Sequence, residues 1–142
     1  MLYRDFLKLT HSCPFCADDQ RKLSQTEHAS LTYALAPYHP HHMLVVPKRH
    51  VLHFLDLTPQ ECIEIDTLVR SAFEALAHLG YENITALVRE GEGSGKSVPH
   101  AHYHVIPNIR IGDIDHQGNE RSVLSKEEID STFAELANAL KK

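Results

Sequence analysis

Apolar positions along the chain fall into a few short extended runs and two helical stripes. LTYALA, between Ser30 and Ala36, is short and partly alternating and stops at Pro37, while MLVVP, Met43–Pro47, is a compact β-branched run. Two neighbouring strands follow, joined by PYHPHH, whose prolines hold the backbone extended or turned and so set where His39, His41 and His42 project. Thr58, Pro59 and Glu61 make a capping box with proline at the first helical position, and Ile65, Leu68, Val69, Ala72, Phe73, Leu76 and Leu79 recur at helical spacing before Gly80 ends the run. That spacing predicts one long amphipathic helix. Strand character returns at Ile84–Val88 and again at His100–Pro107, with EGEGSGKSVP between them. Ser125 and Glu128 cap a final helix whose stripe is Ile129, Phe133, Leu136 and Leu140. The polar stretch IRIGDIDHQGNERSVL before it reads as a surface excursion.

Strands and helices come in blocks with hairpin-scale connections at the start, so the pattern predicts an α+β fold with an antiparallel sheet. The 142 residues suit a single domain 1–142: an N-terminal CxxC segment to about residue 25, a core over about 26–110 and a C-terminal extension with its helix over 111–142. The formal charge of −5 argues against a protein that grips nucleic acid chiefly by electrostatics. No apolar run approaches a bilayer span, and the N-terminus lacks a basic segment followed by an apolar one, so a non-exported, cytoplasmic protein is expected. Three cysteines, two of them in CPFC, fit a reducing compartment, and Cys62, inside the long helix, reads as a buried thiol.

The densest chemistry lies in HAHYHVIP. In a strand alternate side chains share a face, so His100, His102 and His104 would present three imidazoles together. Imidazole can act as nucleophile, general acid, phosphate donor or metal ligand, and a row of three suits phosphoryl chemistry or metal binding. GEGSGKS invites a phosphate-loop reading and fails it. The first glycine of that pattern would fall at Glu90, and Val98 and Pro99 follow where a helix should open. A glycine-rich connection with Lys96 and Ser97 beside the histidines still has the makings of an anion nest or a plain hairpin loop. CPFC reads as half of a tetrahedral zinc site, as a redox pair, or as two unligated thiols. The surrounding sequence lacks the strand and helix that a redox pair needs.

HAHYHVIP, EGEGSGKSVP, HHMLVVPKRHV and CPFC together resemble the histidine triad (HIT) family of nucleotide hydrolases and transferases, over most of the chain from Cys13 to about Arg110. The likeness is nearest to its zinc-containing bacterial members and its dinucleoside polyphosphate hydrolases. It implies a five-stranded antiparallel sheet with one long helix and a C-terminal helix, paired in a homodimer, and a nucleotide as substrate. His102 would attack the α-phosphorus and carry a nucleotidyl group, His104 would bind the non-bridging oxygens, His42 would support the triad, and Ser97 would donate to the phosphate or leaving group. Lys96 falls where many members carry glutamine and would bind substrate. Cys13, Cys16, His50 and His100 would hold a structural zinc ion, with no open position for a substrate water. His11, His39, His41 and His53 compete for that role and otherwise read as solvated or packing histidines.

The chain departs from the family pattern at three positions. Ala34 stands where an acid or amide usually holds the ribose hydroxyls, Arg89 stands where a polar amide usually sits, and His41 replaces a glycine. A cationic Arg89 in a substrate-binding position favours a longer, more highly charged polyphosphate over a phosphoramidate. A nucleotide-sensing module with little turnover and a catalytic metal on the three triad histidines are the competing readings.

Overall fold

The computed structural model describes residues 2, 5, 8, 13–16, 22–34, 36–94, 96, 98–110 and 124–140. Its sheet has five antiparallel strands: β1 Lys22–Gln25, β2 Ala29–Tyr33, β3 Met43–Pro47, β4 Ile84–Val88 and β5 Tyr103–Pro107. They lie in the order β1-β2-β3-β5-β4, so the strand that continues the histidine motif is central and β4 is an edge. With the helices α1, Pro59–His78, and α2, Lys126–Leu140, this is the expected α+β architecture.

Helix α1 begins and ends as its residues dictate. Thr58 accepts from the Glu61 backbone N–H at 3.1 Å and Glu61 accepts from the Thr58 N–H at 2.9 Å, with Pro59 at the first helical position. At the other end Gly80 takes φ +95°, and the N–H groups of Gly80 and Tyr81 close back on the carbonyls of Ala77 and Leu76. Ile65, Leu68, Ala72 and Leu76 are buried against Ala29, Leu31, Met43, Val45 and Val105 on one face of the sheet. Each such leucine stabilises the fold by about 2 kcal/mol through the apolar surface it removes from water. Leu79, counted in the stripe, instead lies 62% exposed beyond the last turn.

The alternating register leaves the other face of the sheet for chemistry. Thr32, Leu44, His104 and Leu87 form one cross-strand row through the β2–β3, β3–β5 and β4–β5 pairings. Beyond the last pairs of these ladders, Val45–Tyr103 and Val88–Tyr103, come His102 and Arg89, and the Arg89 charge bears on the His102 ring. Ala34, whose N–H bonds the His42 carbonyl at 3.0 Å, continues the β2–β3 hairpin beside His42.

Several expectations are corrected here. The strand of the histidine motif spans Tyr103–Pro107 rather than His100–Pro107, because the preceding backbone bonds elsewhere: the Ala101 N–H reaches the Val51 carbonyl at 2.6 Å and the His100 N–H the Val98 carbonyl at 2.9 Å. The run read as starting near Ser30 and reaching Ala36 is strand only over Ala29–Tyr33, since the chain turns before Pro37. Strand β1 lies inside the N-terminal CxxC segment, where no strand was expected; its KLSQ sequence is mostly exposed and carries little apolar alternation. Cys62 is exposed on α1 rather than buried, at the rim of the groove that Ile65 and Val69 form with Ala86, Val88 and Tyr103. The capping box of α2 forms through Ser125 and Glu128, yet Ile129, Phe133 and Leu136 are 49%, 73% and 60% exposed. The side chain of Leu140 and the excursion over 111–123 lie outside the described residues.

Candidate functional site

Two turns converge on the segment that leads into β5. CPFC brings Cys13 and Cys16 over it, the turn after β3 brings His50, and the His100 ring faces both. Sulfur-to-nitrogen distances are 3.4 Å for Cys13–His100, 3.5 Å for Cys16–His100 and 3.1 Å for Cys16–His50, and the two Nδ1 atoms of His50 and His100 lie 3.2 Å apart. All four donor atoms lie within 4.8 Å of one another, the size of a tetrahedral coordination shell. The Nε2–H of His100 donates to the Pro47 carbonyl at 2.9 Å, which leaves its Nδ1 lone pair aimed at the sulfurs. Two imidazole nitrogens and two sulfurs pointing inward are a donor set that a soft divalent cation satisfies. The Cys16 thiol is pushed up to about 11, first by loss of solvent and then by Cys13, which opposes the redox reading of CPFC. Arg49, the residue before His50, is tied by its guanidinium to the Glu61 carboxylate at 2.8 Å and to the Asp56 carbonyl at 2.9 Å, so the cap of α1 also holds the His50 turn.

Hydrogen bonds assign the remaining histidines one tautomer each. His102 donates from Nδ1 to the His100 carbonyl at 2.7 Å, and its Nε2 therefore carries a lone pair. The Tyr38 backbone N–H donates to His42 Nδ1 at 3.2 Å, so His42 donates from Nε2 to His104 Nδ1 at 2.9 Å. His104 is left with its proton on Nε2. A bare nitrogen on His102 and an N–H on His104, with ring centroids 4.9 Å apart, form an acceptor and donor pair side by side. Burial keeps all three rings neutral at ordinary pH: it is the leading cause that lowers His102, brings His42 down to about 4 and brings His104 down to about 3. Lys96 and Arg89 add repulsion at His102, and Arg89 adds it at His104.

The motif's three equivalent rings thus separate. His100 turns to the cysteines, while His102 and His104 stay together with His42. Lys96 reaches the Leu52 carbonyl at 2.6 Å, pinning the loop after β4 against the turn after β3. Ser97 and His11 lie outside the described residues. His39 and His41 pack around Tyr81 with ring centroids 5.5 and 5.6 Å from it, and His53 pairs with Glu90 at 2.8 Å, so none of these joins the metal-sized cluster.

Sequence reasoning missed Phe15 and Tyr38. Phe15, in the turn between the cysteines, packs on the His100 and His102 rings at 5.7 and 5.1 Å and covers Ala34, Leu44 and Val46. The Tyr38 ring lies parallel to His42 at 5.7 Å, 22° between planes. A side chain held between two ligands could have drawn attention to Phe15; nothing local marks Tyr38.

A profile of the HIT domain matches residues 17–110. The chain belongs to the histidine triad (HIT) family. Over 101 residues it is 32% identical to an adenosine 5′-monophosphoramidase of Schizosaccharomyces pombe, covering 68% of this chain and 74% of that protein. Over 74 residues it is 35% identical to a bis(5′-nucleosyl)-tetraphosphatase (asymmetrical) of the same organism, covering 51% of this chain and 41% of that longer protein. These two curated relatives are thus named for different nucleotide substrates. Among solved HIT structures, a histidine triad nucleotide-binding protein of Candida albicans superposes with a TM-score of 0.73 at 19% identity, covering 92% of this chain and 98% of that one. A zinc-bound histidine triad family protein of Mycobacterium smegmatis does so at 0.63 and 23% identity, covering 90% and 97%. Among the described residues no helix is long and apolar enough to cross a membrane.

Proposed function

We propose that the protein is a nucleotide hydrolase or nucleotidyl transferase that cleaves at the α-phosphate through a nucleotidyl group on His102. The observation that carries this reading is the tautomer of His102: Nδ1–H is committed to the His100 carbonyl, so the neutral ring presents Nε2 as a nucleophile. In the first step Nε2 forms a bond to the α-phosphorus. The bond to the bridging oxygen breaks, and its electron pair leaves with the departing phosphate. In the second, water or another acceptor attacks phosphorus, the P–N bond breaks with its electrons returning to Nε2, and the proton lost by the acceptor goes to solvent. His104, its Nδ1 already filled by His42, offers Nε2–H to the non-bridging oxygens as charge gathers on them. Ser97, Lys96 and Arg89 supply further donors for the phosphates or leaving group.

Cys13, Cys16, His50 and His100 would hold a zinc ion. When bound, it would supply a cross-link between the CPFC turn, the turn after β3 and the start of β5. The edge position of β4 supports a homodimer reading in which it would pair with a second copy: Ala86 is exposed and Val88 38% exposed beside an apolar groove lined by Ile65, Val69 and Tyr103. Free thiols in that setting suit the cytoplasm.

The decisive experiment is a burst with diadenosine tetraphosphate labelled in the α-phosphate. Label trapped on the wild-type protein and absent from His102→Ala is expected. Nucleotide binding without any trapped label would reject the catalytic reading in favour of a sensing module.

A further inference from the structure

Tyr81 follows Gly80 at the end of α1, its N–H bonded to the Leu76 carbonyl at 3.1 Å and its ring packed on the buried core. From there it meets the turn between β2 and β3. Its hydroxyl shares a hydrogen bond of 2.7 Å with His41 Nδ1, and the His39 and His41 rings stand edge-on to its own, at 84° and 76° between planes. The turn spends its own donors inward: the His41 N–H donates to His39 Nδ1 at 3.0 Å and the His42 N–H to the His39 carbonyl at 2.9 Å. Another donor serves the site. The Tyr38 N–H points at His42 Nδ1 from 3.2 Å, a long bond that holds only while the turn keeps its shape.

That bond selects between two proton arrangements. With Nδ1 filled from Tyr38, His42 donates from Nε2 to His104 Nδ1, and His104 keeps an N–H on Nε2. With Nδ1 vacated, His42 can carry its proton there. His104 then donates from Nδ1 to His42 Nε2, and its own Nε2 becomes a bare lone pair that repels phosphate oxygens. Resting on the reading of His104 as the donor to those oxygens, we propose that Tyr81 is a positioning residue for the reaction: through His41 and His39 it holds the turn that decides which nitrogen of His42 and His104 bears the proton. An alanine or glycine at 41 would offer the phenol no ring nitrogen, so the device belongs to His41.

Imidazole nitrogen shifts from long-range proton–nitrogen NMR read the tautomers of the full chain without any substrate. The wild type should show His42 and His104 each protonated at Nε2 alone. Tyr81→Phe, which removes only the hydroxyl, should show both tautomers in exchange. Its kcat with diadenosine tetraphosphate should fall by about three- to tenfold while KM stays within about twofold, because the misarranged site still binds but lacks its donor. His41→Ala, at a position whose φ is not left-handed, should match it, and the double variant should be no worse than either single one. Lost stability alone would lower the melting temperature and leave the tautomers single. Unchanged tautomers in both folded variants overturn the proposal, as does a wild type protonated at His42 Nδ1. The nitrogen shifts decide this without turnover, so failure of the nucleotidyl reading shows itself separately, in the absence of label on His102.

Discussion

The main-chain carbonyl of His100 accepts the Nδ1–H of His102 at 2.7 Å, while the His100 ring directs its own Nδ1 at Cys13 and Cys16. One residue thus faces both sites, its ring toward the thiols and its carbonyl toward the imidazole proposed as the nucleophile. Cys13→Ala should lower zinc from about one ion per chain to none and reduce kcat by about 10- to 100-fold, with KM little altered, because the His100 carbonyl loses its fixed position. Metal analysis beside steady-state kinetics checks it. Full zinc occupancy in the variant would dismiss the four-donor assignment.

Arg89 directly follows β4, and its permanent charge bears on the rings of both His102 and His104. Arg89→Gln should reduce kcat/KM for a dinucleoside tetraphosphate by about tenfold or more, while an adenylyl phosphoramidate, whose leaving group is neutral, changes by less than about threefold. Equal losses on both substrates would sink the assignment.

Stability should fall in two stages as the medium becomes acid. The unfolded chain protonates histidine near 6.5, whereas burial holds folded His42 down to about 4 and His104 to about 3, so the fold loses stability from about pH 6.5 to about pH 4 and below. Glu64 works through a lower window. It accepts from the His28 N–H at 2.9 Å and pairs with His28 Nδ1 at 2.6 Å, and its carboxyl is held down to about 2, most of all by the Thr26 hydroxyl and then by His28 and Gln60. Its contribution is present above about pH 4.5 and is lost as pH drops toward 2. Thermal unfolding followed by circular dichroism across pH 3–8 should show the lower stage shrink in Glu64→Gln and the upper one persist; an unchanged profile would contradict this.

Val88 sits on the outer strand, and a charge there would meet its own copy across a two-fold axis. Val88→Asp should turn a homodimer into a monomer in sedimentation velocity while leaving the far-UV spectrum intact. A wild-type chain that sediments as a monomer would remove the dimer from the proposal.

Local order was written in residues that act on their near neighbours. The capping box of Thr58 and Glu61, the left-handed Gly80 and the 3.6-residue recurrence from Ile65 to Leu76 set α1, because each depends on contacts within a turn or on one face. The pairing of Cys13, Cys16, His50 and His100 was legible through a resemblance, and the structure brings those four together. The period of two in the histidine motif was legible as well, but not its outcome. Where β5 begins depends on Val51 accepting from Ala101, and the orientation of each imidazole depends on Pro47, Tyr38 and the His100 carbonyl, partners drawn from elsewhere in the chain. Strand β1 escaped notice because its residues are mostly exposed and pair only through backbone groups, which any side chain carries alike. By itself the sequence determined both long helices, four of the five strands, the antiparallel class and the residue types of the site. The tertiary structure alone decided which nitrogen of His42, His102 and His104 bears its proton, and that Phe15 packs on His102 and the Arg89 charge bears on it, since both follow from distances between residues far apart in the chain.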